Sequence, residues 1–192
     1  LGAGFREKLY RQTLGHALFT VELLEGMRER GDLVQDEDGR WVEGEALELG
    51  RLPARVEVAI AERIGRLPRE LRGTLAVASV EGEAFTAEVV AQVQGTSKAE
   101  MVKCLSDELA RRHRLVVSQG TRTVDDRRVS AYRFRHILYQ RFLYDRLDDA
   151  ERAYLHRDVG IALETLYGEQ AEEVAVQLAR HFEEAGVLEK AI

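Results

Sequence analysis

The stretch that decides the fold is Tyr132–Leu147, YRFRHILYQRFLYDRL. Up to Phe134, apolar and aromatic side chains alternate, which is the period of a β-strand. Beyond His136 they recur at the spacing of an α-helix, at Ile137, Leu138, Phe142 and Leu143. The stretch therefore predicts a strand that passes directly into a helix, and the flanking segments are interpreted around it.

A two-stranded hairpin is predicted to end at this junction. Leu115–Ser118 and Val129–Phe134 are short apolar runs that pair naturally as antiparallel strands, and Gln119–Arg128 is the polar loop between them. Three helices are predicted before the hairpin: Arg69–Val80, a helix opened by Phe85 and Thr86, and a helix with the capping box Ser97/Glu100 and buried Met101, Leu105 and Leu109. Three helices followed by a two-stranded wing form a winged helix-turn-helix.

The residues before this module predict a helical lead-in. Phe5–Thr13 and Ala17–Arg30 have helical patterns, and Pro53–Leu67 predicts a helix that leads into the winged helix. Leu33–Val42 predicts a hairpin, because two apolar ends flank an Asp-Gly pair, which adopts positive φ readily in tight turns.

The residues after the module predict helices only. Asp148 and Glu151 can cap a helix that runs to about Tyr167. Glu172–Ala185 follows, with Val174, Ala175, Leu178 and Phe182 facing inward. The predicted fold class is mainly α: a winged helix-turn-helix with a small β-wing, flanked by helices. The predicted divisions are 1–50 (lead-in), 51–147 (winged helix) and 148–192 (helical array).

Four motifs spread along the chain point to one protein family. They are Tyr132-x-Phe134-x-His136-x-Leu138 with Tyr144 and Leu147; Thr13–Phe19 with Glu22-Leu23-Leu24; Leu52-Pro53 through Leu67-Pro68; and Ala175-x-x-Leu178-Ala179-x-His181-Phe182-x-x-Ala185-Gly186 with Lys190-Ala191. Together they resemble the segment that follows the ATPase core in bacterial STAND-type signalling ATPases, such as the ATPase regions attached to nucleotide cyclases and the large LuxR-type regulators. The last motif resembles the start of a tetratricopeptide-like (TPR-like) helical array.

The resemblance implies nucleotide contact at one place, Gly15-His16-Ala17. In STAND ATPases a Gly-x-Pro element lies where the ATPase core meets the winged helix, and its proline contacts the nucleotide. Here His16 and Ala17 stand where Asn and Pro are usual, so the three residues match the element only weakly. The sequence also lacks a G-x-x-x-x-G-K-[ST] phosphate loop. We therefore expect no cofactor in this segment, and the resemblance implies that ATP binds to a core preceding Leu1.

The function implied by the resemblance is that of a non-catalytic regulatory segment in a multidomain, ATP-dependent signal-transduction regulator of the bacterial cytoplasm. The winged helix would contact the ATPase core of the same polypeptide, and the helical array would receive a protein partner. Two alternatives stay open: a DNA-binding transcription regulator, and a stand-alone interaction adaptor. Because units of such arrays bury their faces on their neighbours, an exposed end of the array also predicts pairing of two copies. A first residue other than Met leads us to expect a longer parent protein.

A set of basic residues is the candidate contact surface for DNA or a partner. Its members lie on the predicted helix that is capped by Ser97 and Glu100 and on the wing: Lys98, Lys103, Arg111, Arg112, Arg114, Arg122, Arg127 and Arg128. Five acidic residues lie among these eight, which leaves only three net positive charges. The whole chain has a net charge of −6, which argues against general nucleic-acid or anionic-membrane binding. We therefore rank DNA below protein contact.

The remaining chemistry-bearing residues do not form a recognised motif. The five histidines lack zinc or H-E-x-x-H spacing, although His136 and His156, on neighbouring predicted helices, are placed so that they can meet. A single cysteine, Cys104, excludes an internal disulfide framework and fits a reducing cytosol. No apolar run reaches about 18 residues, so no transmembrane helix is predicted. We predict neither a metal site nor catalysis.

Overall fold

The structure is a computed structural model that describes residues 1–13, 15, 17–44, 54–124, 127–187 and 189. It is mainly helical with two small sheets, which confirms the predicted fold class at that level. The residues divide into two compact units, Leu1–Arg66 with His136–Leu138, and Leu67–Arg135 with Tyr139–Ile192. The predicted divisions at 50/51 and 147/148 stay predictions. Of the helices described, none is both long and apolar enough to cross a membrane.

The first unit contains three helices and a hairpin: α1 (Ala3–Thr13), α2 (Ala17–Arg30), β1 (Leu33–Gln35), β2 (Trp41–Glu43) and α3 (Ala54–Gly65). The hairpin predicted at Leu33–Val42 is confirmed, with Gly39 at φ 73° in its turn. The backbone at Gly39 explains the need for glycine, since other residues rarely adopt positive φ. One cluster of the unit's buried side chains consists of Phe5, Leu9, Leu23, Met27 and Leu33.

The second unit begins with helices that surround a short strand: α4 (Arg69–Glu81), β3 (Ala84–Thr86), α5 (Ala87–Gln94) and α6 (Lys98–Lys103), which continues as a π-helix (Cys104–Arg112). The predicted capping box is confirmed, because the Glu100 backbone N–H donates to the Ser97 hydroxyl and the Ser97 N–H donates to the Glu100 carboxylate. Met101, Leu105 and Leu109 are buried as predicted.

Strand β3 was not predicted. The helix expected after Phe85 is present as α5, with Thr86 in the N-cap position, but Phe85 and Thr86 also form a strand. Both residues pair with β5 (Arg127–Phe134), and Phe85 packs its ring against Tyr132 and Phe134. Thr86 does precede α5, but its side chain makes no capping bond and donates to Glu81 instead. The sheet order is β3-β5-β4, with both pairs antiparallel.

The hairpin of β4 (Val116–Val124) and β5 is longer than predicted. Most of the expected loop at Gln119–Arg128 is strand, and 125–126 lie outside the described residues. The error has a physical cause. The added strand residues are mostly exposed and polar, so they lack the apolar alternation of a half-buried strand. A bulge between Ser118 and Gly120 shifts the register at the point where this exposed part begins.

The second unit ends with helices α7 (Ile137–Asp145, within this unit from Tyr139), α8 (Asp149–Tyr167), a 3-10 helix (Gly168–Val174) and α9 (Ala175–Glu184). The predicted Asp148/Glu151 cap is confirmed. The helix predicted over Glu172–Ala185 begins only at Ala175, and Ala175 is exposed rather than buried. Because Gly168 ends α8 and a 3-10 turn intervenes, the inward face of α9 begins at Leu178.

Candidate functional site

The weakly matching nucleotide element is only partly described. Gly15 lies in a turn with φ 73°, a conformation that favours glycine, and Ala17 is the exposed first residue of α2. His16 lies outside the described residues. Whether this element contacts a nucleotide stays a prediction.

On the helical part of the predicted basic surface, arginines are paired with acids one turn away. Arg111 donates to Asp107 at 2.7 Å, and Arg112 donates to Glu108 at 3.1 Å. All four side chains are substantially exposed, so each pair contributes little to stability. Their consequence is electrostatic, because each arginine charge is partly cancelled before it can meet a phosphate.

On the hairpin, two of the predicted basic residues contact α8. Arg122 donates to the hydroxyl of Tyr167 at 2.6 Å, and its guanidinium lies 5.7 Å from the centre of the same ring. Arg127 donates to the backbone carbonyl of Thr165 at 3.4 Å. The structure therefore brings the hairpin arginines together with the last turn of α8.

All eight members of the basic set are exposed. Of the other four, Lys98 begins α6, Lys103 ends its α-helical part, Arg114 precedes β4 and Arg128 lies on β5. Lys98 lines a small cavity of about 130 Å³ together with Arg127. Arg114 has φ 52°, which is uncommon for a residue with a side chain. The eight residues thus do not share one environment.

A larger cavity in the second unit, which we call the Glu81 cavity, was not predicted. It has a volume of about 350 Å³ and lies among α4, the sheet, α8 and the 3-10 helix. Its polar lining includes Glu81, Arg122, Tyr132, Tyr167, Glu173 and Gln177. This size is at the lower end of small-molecule sites.

Glu81 is the most unusual group in the cavity lining, since it is a carboxyl that is only 5% exposed. One of its oxygens, Oε1, accepts the backbone N–H and the hydroxyl of Thr86, both at 3.0 Å. The other oxygen, Oε2, is buried without a hydrogen-bond partner among the described residues. Burial raises the pKa of this carboxyl from its ordinary 4.5 to about 8, although Thr86 and Arg122 act in the opposite direction. Glu81 therefore carries a proton at neutral pH.

A second unpredicted feature is a buried pair of histidines on α8 and α9. His156 and His181 are fully buried, and their Nδ1 atoms are hydrogen-bonded at 2.8 Å. The Nε2 atom of His156 is bonded to the Tyr144 hydroxyl at 2.9 Å. His136, which the sequence paired with His156, instead lies with its ring edge-on to Phe19 in the first unit. The partner of His156 is therefore His181.

Close packing of α8 against α9 makes this contact possible. A Cβ at Gly160 would lie 3.0 Å from the ring of Phe182, so glycine allows the two helices to approach. Burial lowers the pKa of His156 to about 4 and that of His181 to about 3, from 6.5. For His181, the neighbouring His156 and Arg180 lower the pKa further. Both imidazoles are neutral at neutral pH.

No cluster of three or more His, Cys, Asp or Glu side chains is placed to hold a metal ion within the described ranges. Cys104 is half-buried, and burial raises the pKa of its thiol, so the weakly nucleophilic protonated form prevails at neutral pH. Comparisons of this chain with protein-family models, with curated proteins and with solved structures found no match.

Proposed function

We propose that this chain is a non-catalytic regulatory segment of a multidomain, ATP-dependent signalling regulator. In this proposal 51–147 is a winged-helix domain that contacts the ATPase core of the same polypeptide, and 148–192 begins a TPR-like array that receives a protein partner. The order helix, strand, helix, helix, hairpin and the sheet order β3-β5-β4 support the winged helix. The motif resemblance supports the ATPase context.

One observation favours a protein-contact role over DNA binding: two of the three hairpin arginines in the basic set, Arg122 and Arg127, donate hydrogen bonds within the chain. A DNA-reading winged helix holds phosphates with exposed cations. Here Arg122 and Arg127 donate to α8, while Arg111 and Arg112 on the helix pair with acids. We assign a regulatory role to the contacts of Arg122 and Arg127 with α8. When a partner binds the array, the hairpin and α8 move apart, and this movement releases the ATPase core.

The DNA alternative makes a direct prediction. We expect no binding when this segment is titrated into fluorescent mixed-sequence duplex DNA, even at low salt, because four of the eight basic side chains donate hydrogen bonds within the chain and five acidic residues lie among the eight. Fluorescence anisotropy across a salt series measures this. Micromolar binding that weakens steeply with salt would instead bring the transcription-regulator alternative to the front.

The regulatory contact is tested by Tyr167→Phe, which removes only the hydroxyl that accepts from Arg122 at 2.6 Å. We expect the unfolding free energy of the segment to fall by about 1 kcal/mol. In the parent protein we expect faster basal ATP hydrolysis or nucleotide exchange, because the contact that restrains the hairpin is weakened.

The matched control is Tyr154→Phe, on the same helix, where the tyrosine is 56% exposed. This variant should leave the unfolding free energy of the segment and the nucleotide turnover of the parent protein unchanged. If Tyr167→Phe destabilised the segment without changing nucleotide turnover, the contact would be structural and the regulatory proposal would fail. A parent protein without an upstream nucleotide-binding core would favour the adaptor alternative.

A further inference from the structure

We propose that the Glu81 cavity is a binding site for a small organic ammonium ion, with the carboxylates of Glu81 and Glu173 as its anionic partners. The site lies wholly within the second unit. It goes beyond the proposed function and does not depend on it.

The first argument is the unsatisfied oxygen of Glu81. Neither protonation state gives Oε2 a partner among the residues that the structure describes. A buried polar atom without a hydrogen bond is costly, and a buried carboxylate without a counter-charge is costlier still. An ammonium group supplies the missing hydrogen-bond donor and adds a second positive charge to that of Arg122, which already favours the ionised carboxylate.

The second argument is the balance of charge in the lining. Two carboxyl groups face one guanidinium, and that guanidinium already donates to the Tyr167 hydroxyl at 2.6 Å. Gln177 adds a side-chain oxygen that accepts hydrogen bonds, and Tyr167 adds an aromatic ring near which one cation, the Arg122 guanidinium, already lies. This lining favours an organic cation over an anion.

Binding of a cation is coupled to the loss of the Glu81 proton. Burial holds a proton on Glu81 at neutral pH, and the groups that face it are Arg122 from β4, Glu88 from α5 and Tyr167 from α8. A cation binds to the ionised carboxylate, so binding should release close to one proton. Because the ionised fraction grows with pH, the apparent affinity should rise about tenfold between pH 6 and pH 7.

The test uses three probes with the same four-carbon chain: butylammonium, butanol and butyrate. We expect butylammonium to bind with a dissociation constant of about 1 mM or tighter at pH 8, and the other two probes not to bind. Calorimetric titration in buffers of different ionisation enthalpy measures both the affinity and the proton release. A lysine that is acetylated at its α-amino group and amidated at its carboxyl group is tested alongside. It mimics a lysine side chain of a protein, whereas butylammonium mimics a small free amine.

Two variants locate the site. Glu81→Gln should weaken butylammonium binding at least tenfold and abolish proton release, and Glu173→Gln, at an exposed position of the 3-10 helix, should weaken binding while leaving the fold intact. Glu183→Gln, exposed on α9, is the control and should bind normally. The inference is overturned if butylammonium does not bind, if butyrate or butanol binds as well, or if both cavity variants bind normally.

The outcome is independent of the regulatory proposal. Amine binding is measured on this segment alone, whereas regulation is measured as nucleotide turnover in the parent protein. A bound amine would contact the hairpin through Arg122 and the helices that follow through Tyr167 and Glu173. By linkage it would stabilise the packing of these elements on one another.

Discussion

Replacing Glu81 by glutamine is expected to remove a loss of stability that the wild-type protein suffers at alkaline pH. Between pH 5 and pH 8 the unfolding free energy of the wild type should fall by about 3–4 kcal/mol relative to that of Glu81→Gln. The unfolded chain loses the Glu81 proton near the ordinary pKa of 4.5, whereas the folded chain retains it until about pH 8. Between these values the folded state binds one proton more than the unfolded state. Wild-type stability therefore falls as pH rises, and glutamine, which cannot ionise, removes this loss.

Urea unfolding of both proteins at about pH 5, 6.5 and 8 measures the difference. Glutamine keeps an oxygen for the two bonds from Thr86, at 3.0 Å each, so the turn between α4 and β3 should persist. Glu183→Gln, exposed on α9, should follow the wild-type curve. If Glu81→Gln showed the wild-type dependence on pH, the carboxyl would be ionised rather than protonated in the folded state at neutral pH.

The structure shows which parts of this chain were predictable from local sequence. The predictions of capping boxes at Ser97 and Asp148 were correct because the two partners of each box lie within four residues of sequence. Strand β3 was missed because its three residues acquire their identity from β5, more than forty positions away in the sequence. Long-range pairing of so short a strand leaves no periodic signal.

The unpredicted sites did leave a signal. On α4, Glu81 follows Leu71, Leu75 and Ala78 at helical spacing, so a carboxyl occupies a position of the buried stripe. On α9, His181 follows Leu178 by three residues and is likewise buried. A polar residue within an apolar stripe is uncommon unless it has a partner. The partner of His181 could not be inferred, because it depends on how α8 and α9 pack.

The histidine pair should set the acid limit of stability. The unfolded chain binds a proton at each histidine near pH 6.5, whereas the folded pair resists protonation until about pH 4 and pH 3. Below pH 6.5 the unfolded state therefore binds two protons more, and stability falls as pH falls. We expect the two histidines to lower the unfolding free energy by about 4 kcal/mol between pH 7 and pH 5.

The geometry explains why the pair resists protonation. Two neutral imidazoles place one N–H between the Nδ1 atoms, which lie 2.8 Å apart. A first proton puts a charge in a buried site near Arg152 and Arg180, although Glu184 partly compensates at His156. A second proton places two N–H groups face to face and breaks the bond between α8 and α9.

The measurement is best made in Glu81→Gln, because the carboxyl opposes the histidines over the same pH range. In wild type the two effects should balance near pH 6.5 and give a maximum of stability there. In Glu81→Gln the whole fall in unfolding free energy caused by the histidines should be seen between pH 7 and pH 5. Adding His181→Gln to this variant should halve that fall. His113→Gln, which removes a histidine outside the pair, should not.

Proton NMR provides a readout that does not depend on whether the variants fold well. In the wild-type protein the ring signals of His156 and His181 should show no titration down to about pH 5, since both pKa values lie below it. Titration of either ring near pH 6.5 would mean that the buried pair is open to solvent. In that case α9 would not be held to α8 by this contact, and the acid loss of stability would have to come from other groups.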